Sequence, residues 1–275
     1  MSETLIRLLA EDEPTAFTVS NEGGRSPFFI ACDHAGKRLP RRLGKLGLPD
    51  SKLEGHIASD IGAGSVACLV GNALDAFVIR QTYSRLIIDC NRPPGAETSI
   101  VEISEATTVP GNIGLSAGQK EARVREIFQP YHDRIVAELD KRRQTGHPTV
   151  LISMHSFTPV FKSVMRPWHV GVLYRDRRFA HILMKLLLRE DGLVIGDNEP
   201  YAITDTSDYT IPIHGERRDL PHVGLEIRQD LIVHEAGQKS WAALLVRLLP
   251  EAYQRLAANP NQLRRPRSRW REGQH

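Results

Sequence analysis

The chain has 275 residues, with 36 Lys and Arg against 33 Asp and Glu, 41% hydrophobic residues and three cysteines. That balance is ordinary for a globular protein and excludes disordered, collagen-like and disulfide-scaffold classes; no apolar run approaches the ~20 residues a membrane-spanning helix needs. Five Arg against one Glu in residues 261–275 give +4, which leaves the preceding 260 residues at −1 of the chain's +3, so no nucleic-acid partner is expected of the body.

The acidic start MSETLIRLLAEDEP lacks the basic end and apolar core of a signal peptide. Cys32, Cys68 and Cys90 are widely spaced, with no CxxC pair. Both features lead to the expectation of a reduced, cytoplasmic compartment.

In chain order, SPFFIAC (26–32) reads as a strand, AGSVACLVGNALDA (63–76) as a helix, and AFVIR (76–80) and RLIIDC (85–90) as strands. Residues 116–143 carry the longest helical pattern, with Ser116 as N-cap and Val124, Ile127, Tyr131, Ile135 and Leu139 on one stripe; Pro130 is expected to kink or divide it. TVLISMH (149–155), WHVGVLY (168–174) and VGLEIRQD (223–230) read as strands, and 177–190 and 235–257 as helices. Runs apolar on both faces suit central strands covered on two sides. The alternation predicts an α/β fold with a central mixed, mostly parallel sheet flanked by helices on both faces. A single domain over 1–260 and a basic tail over 261–275 are expected. The Gly-, Pro- and polar-rich stretches 91–115 and 196–222 are long enough to be active-site loops.

Polar residues fall at predicted strand ends. FFIAC runs into Asp33-His34, and TVLISM into His155-Ser156. Ligand sites in open α/β sheets gather at the carboxyl ends of strands, and two imidazoles with a carboxylate are a catalytic zinc arrangement. Hydrogen-bonded loop histidines are the plain alternative. Asp60, before the helix at 63, is either a ligand or a helix N-cap. Asp89, Asn91 and Arg92 close another predicted strand; Arg92 suits capture of a substrate carboxylate, or an ion pair with Asp89. Glu226 stands on an apolar strand and needs a partner, either metal-bound water or Arg228.

Taken together, DHAGKRLP (33–40), SDIGA (59–63), YSRLIIDCNRPPG (83–95), SMHSFTP (153–159), GDNEPY (196–201) and HGERRDLPHVGLEIRQDL (214–231) resemble the N-formylglutamate amidohydrolase family. The resemblance implies a fold similar to zinc carboxypeptidases and aspartoacylases, with one Zn2+ per chain at strand ends. It implies His34 and His155 as ligands, with Asp60 as the third and Asp33 in reserve. The related carboxypeptidases have a Glu where this chain has Lys37. Asn91 and Arg92 match the pair that grips substrate carboxylate, and Glu226 matches the acid that serves as base and then proton donor.

The expected reaction is zinc-dependent hydrolysis of an N-acylated acidic amino acid, N-formyl-L-glutamate giving formate and glutamate. Arg85, Arg217 or Arg228 is expected to hold the second carboxylate or the oxyanion, and the His214 loop to close over the small acidic substrate. The alternatives are a zinc peptidase or deacylase for another small amide, and a catalytically idle homologue that binds an acidic metabolite.

Overall fold

In the computed structural model, which describes residues 7–259, the chain begins with β1 (Phe17–Ser20), β2 (Phe28–Cys32), a short α1 (Asp50–Leu53), α2 (Ala63–Leu74) and β3 (Phe77–Gln81). The hairpin of β4 (Ile103–Ser104) and β5 (Thr107–Thr108) follows, then α3 (Ala117–Arg123), α4 (Gln129–Gln144) and β6 (Val150–Phe157). A second hairpin, β7 (Val160–Phe161) and β8 (Val164–Met165), leads into β9 (Val170–Leu173), α5 (Arg177–Leu187), β10 (Ile195–Asp197), β11 (His222–Arg228) and α6 (Glu235–Ala257). The tail expected at 261–275 lies outside the described residues.

Seven strands form one sheet in the order β1-β3-β2-β6-β11-β9-β10. Strands β3, β2, β6 and β11 run parallel; β1 and the β9–β10 pair oppose them. The sheet is thus mixed and mostly parallel. All five residues of β2 and all eight of β6 are buried, as central strands with helices on both faces should be. The four parallel strands end on one edge, and that edge carries the polar strand-end residues.

Alternate residues build two cores. Phe28, Ile30, Ile152, Met154, Val223 and Leu225 face α2, α5 and α6. Phe29, Ala31, Phe77, Ile79 and Leu151 face the opposite way, under Ile127, Phe128, Tyr131 and Ile135 of the α3–α4 segment. On this second face the β9–β11 half carries a small apolar cluster of Leu173, Ile203 and Ile211.

The long helix starts as expected, with a capping box in which Ser116 accepts from the Gln119 backbone. It is divided by a wider turn at Val124–Phe128, just ahead of Pro130. Proline lacks the N–H for a regular i→i−4 bond and clashes with the preceding turn, and the wider turn relieves both.

The expected strand at 85–90 is absent. These residues form buried turns, because Leu86 O accepts from Asn112 and Ile87 O from the buried Arg123 guanidinium, where a ladder would need a neighbouring strand. The edge strands β1 and β10, four and three residues long, had no signal strong enough to be read. No helix among the described residues is long and apolar enough to cross a membrane.

Candidate metal centre and active-site cavity

His34 follows the end of β2, and His155 sits near the end of β6. Parallel pairing sets Glu226 of β11 directly beside His155. Side chains alternate across a strand, so Ser153, His155, Gly224 and Glu226 all turn to the face away from α2, α5 and α6.

Asp60 arrives from the loop before α2. Its backbone N–H donates to His34 O at 2.9 Å, which ties the two segments together. Gly62 then turns the chain at φ 79°, with Ile232 O only 2.2 Å from where a Cβ would stand. Only glycine tolerates both conditions. Gly62 is also the N-cap residue of α2, and no side chain caps that helix. The capping alternative for Asp60 is therefore excluded, and its carboxylate faces the histidines.

One ligand atom each from His34, Asp60 and His155 lie within 4.8 Å of one another, and all three residues are buried. Both Nδ1 atoms approach the same oxygen, Asp60 Oδ2, at 3.3 Å from His34 and 2.8 Å from His155. Both Nε2 atoms face outward to supporting groups. His34 Nε2 donates to Asp89 Oδ1 at 2.7 Å; His155 Nε2 meets Ser153 Oγ at 2.9 Å and Asp33 Oδ2 at 3.4 Å. An imidazole held from behind by a carboxylate, its other nitrogen aimed at a shared point, is the usual support of a metal-ligating histidine. Asp33 itself is fixed from behind, accepting from Tyr131 at 2.9 Å and Thr210 at 2.8 Å, and it is not part of the three-residue group.

The charges fit a divalent cation. Burial works to raise the Asp33, Asp60 and Asp89 carboxyls, but histidine neighbours, and Arg85 for Asp89, overcome it and hold all three low. Burial works to depress both imidazoles. Asp89 and Asp60 raise His34 against it, and Asp33 and Asp60 lift His155 well above its ordinary value. With both imidazoles protonated, they and the Arg85 guanidinium match the three carboxylates; ligation would release those two protons. One dication in place of two protons keeps the same balance.

Glu226 is 8% exposed, and its Oε2 has no hydrogen-bond partner. Burial chiefly lifts its carboxyl to about 7, against the pull of His155 and with the help of Asp60. A carboxyl that can hold or release a proton near neutrality suits general acid–base work.

The other expected site residues divide into two groups. Arg85 lines the cavity and bridges two ligand-side acids, at 3.4 Å from Asp60 and 2.6 Å from Asp89. Arg92 also lines it, donating to the carbonyls of Asn91 and Ser207. Asn91 is a staple for the second loop: its Oδ1 accepts from Tyr209 and Thr210 N, both at 3.0 Å, and its Nδ2 donates to Asp208 at 3.2 Å.

Three expected binding residues do not line the cavity. Arg228, the last residue of β11, pairs with Asp230 at 2.8 Å and not with Glu226. His214 is buried against His132, Nε2 to Nδ1 at 2.9 Å, and Arg217 is exposed just beyond it. Lys37 is ion-paired with Glu54 on the surface, and the carboxylate that groups with the two histidines is that of Asp60.

Asp89 was not anticipated as the support of His34. Its signal was the spacing Arg85-x-x-x-Asp89, masked by reading 85–90 as a strand.

The site opens into a cavity of ≈ 680 Å³. Both expected loops contribute walls, through Asn91, Arg92, Ile103 and Glu105 from one and Pro200, Tyr201, Ile203 and Ile211 from the other.

Residues 26–233 match the N-formylglutamate amidohydrolase family. Over 158 residues the chain is 30% identical to N-formylglutamate deformylase of Pseudomonas putida, covering 48% of this chain and 52% of that protein; it spans about half the length of that curated relative. The crystal structure of a gene product of Agrobacterium tumefaciens superposes with a TM-score of 0.88 at 32% identity, over 91% of this chain and 100% of the other. N-formylglutamate amidohydrolase of Ralstonia eutropha JMP134 shares the fold at a TM-score of 0.67 and 17% identity, over 90% and 100% of the two chains. With all of the strand-end residues described above inside the matched span, this chain belongs to the N-formylglutamate amidohydrolase family.

Proposed function

We propose that the chain is a metal-dependent amidohydrolase that cleaves the amide of an N-acylated amino acid, with N-formyl-L-glutamate the substrate implied by its family. The observation that carries this reading is the convergence of His34, Asp60 and His155 beside an unpartnered, buried Glu226. Two nitrogen donors and one oxygen donor suit zinc with an open position. Zinc held there would supply Lewis acidity toward the scissile carbonyl and the attacking water.

The protein's own groups divide the remaining work. Glu226 takes a proton from the attacking water as its oxygen bonds to the acyl carbon. It then returns that proton to the leaving nitrogen as the C–N bond breaks, so a carboxylic acid and a free amine result. Glu226 ends in its starting protonation state. Arg92 holds the substrate carboxylate. Arg85, fixed by Asp60 and Asp89, works with His34 to keep Asp89 ionised. The cysteine pattern supports a cytoplasmic setting for the reaction.

The test is formate release from N-formyl amino acids by the zinc-loaded protein, alongside N-acetyl and N-succinyl counterparts. Release from the formyl set supports the reading; no release from any of them sinks it. A second reading, an amidase for another small amide, is favoured by the apolar cavity wall.

A further inference from the structure

The charges and walls of the cavity bear on which amide it takes. Besides the metal-group imidazoles, the basic side chains that line it among the described residues are Arg85, Arg92 and His56. Arg85 is shared between Asp60 and Asp89, and His56 meets Glu105 at 2.9 Å. Arg92 donates only to carbonyl oxygens. A first substrate carboxylate therefore finds Arg92. A second finds no further lining cation that lacks an acidic partner of its own.

The wall beside Glu226 is apolar. Pairing sets Gly171 of β9 next to Glu226 and Leu173 next to Gly224, on the same face of the sheet. Gly224 contributes no side chain, and a Cβ there would stand 3.1 Å from Leu173 Cβ and 3.3 Å from Ile211 Cδ1. Leu173, Ile203 and Ile211 pack together over this spot, and all three line the cavity. A further cation, Arg166, is not a lining residue: it stacks on Phe161 and Tyr201 at 4.5 and 4.9 Å and donates to the Tyr201 hydroxyl at 2.9 Å. An apolar patch thus lies one pleat from the proposed proton carrier, in a cavity of ≈ 680 Å³, well within the roughly 300–1,000 Å³ range of ligand pockets.

Building on the amidohydrolase reading above, we propose that the substrate is a monocarboxylate: an N-acylated amino acid whose apolar side chain sits against Leu173, Ile203 and Ile211 while its carboxylate meets Arg92. This changes the side chain from the family's named substrate and leaves the reaction as stated.

Two measurements on the full chain test it. The zinc-loaded protein is assayed with N-formyl-L-leucine and N-formyl-L-glutamate, and Glu226→Gln is titrated with both by calorimetry. Leucine is expected to lead by about tenfold or more in kcat/KM and in affinity, the scale of one apolar group in a fitted pocket. Ile203→Ala is expected to shrink that ratio about tenfold; being a ratio on one protein sample, it is independent of the folded fraction. Equal treatment of the two substrates, a preference for glutamate, or a ratio unmoved by Ile203→Ala overturns the proposal. Hydrolysis of neither, with leucine still the tighter ligand of Glu226→Gln, removes the amidohydrolase reading and leaves the pocket assignment standing.

Discussion

The two faces of the sheet differ in kind. Toward α2, α5 and α6 the strands present Phe28, Ile30, Ile152, Met154 and Leu225, an apolar layer in contact with Phe179, Leu183, Leu245 and Leu249. Toward the other side the same strands present Ser153, His155 and Glu226 beside their carboxyl ends, with Asp33 just past β2. Buried ionised groups are costly unless each is partnered. That second face meets the requirement through a network in which Asp33 accepts from Tyr131 and Thr210, and Asp89 from His34 and Arg85. The first face is apolar throughout, while the second is apolar only away from the strand ends. At those ends the second face holds charge in place, and so can do chemistry.

If that division is right, variants on the two faces should fail differently. The largest effect is expected from Glu226→Gln, which should retain metal and fold while losing about 100- to 10,000-fold in kcat; normal turnover removes Glu226 from the chemistry. On the dry face, Phe179→Ala should cost about 3–5 kcal/mol of stability by leaving a cavity. Its kcat/KM per folded molecule should be unchanged, and a selective loss of activity at constant stability breaks the comparison.

The buried pair His132 and His214 sharpens it through pH. Burial depresses the two imidazoles, to about 4 and about 3 respectively. His132 Nε2 donates to Cys90 O at 2.8 Å, so its Nδ1 is the acceptor toward His214. The unfolded chain takes up protons below ~6.5 while the fold stays neutral there, so this stability is complete above that pH and is lost as pH falls toward 4. Between pH 7 and 5 the wild type should lose about 2–4 kcal/mol more than a His132→Gln/His214→Gln variant, read by urea unfolding. Parallel slopes would remove the pair from the account.

The smallest expected effect is Arg92→Ala, a rise in KM of about tenfold to a hundredfold with kcat little changed, the scale of a charged hydrogen bond. An unchanged KM would assign Arg92 to holding the Ser207 loop alone.

What the sequence makes legible follows from local rules. His34 and His155 stand at the ends of unbroken apolar runs, and Glu226 interrupts one; a strand-end position and a misplaced charge are both local signals. The supporting shell is not local. Asp89 reaches His34 across 55 residues, and Asp33 is fixed by Tyr131 and Thr210, 98 and 177 residues away. Arg228 shares its strand face with Glu226, which suggested a pairing, but Asp230 two residues on captures it. The turn at 85–90 reads as a strand because Leu86, Ile87 and Ile88 form an apolar run; that they are buried as turns in the α3–α4 core is a tertiary fact with no mark in the residue pattern.

Elemental analysis of the purified wild type and of His155→Ala, each checked for native fold by circular dichroism, bears most directly on the converging histidines and Asp60. About one equivalent of a divalent metal per wild-type chain, lost in the folded variant, is the expected result. A folded His155→Ala protein that keeps its full metal complement contradicts the assignment.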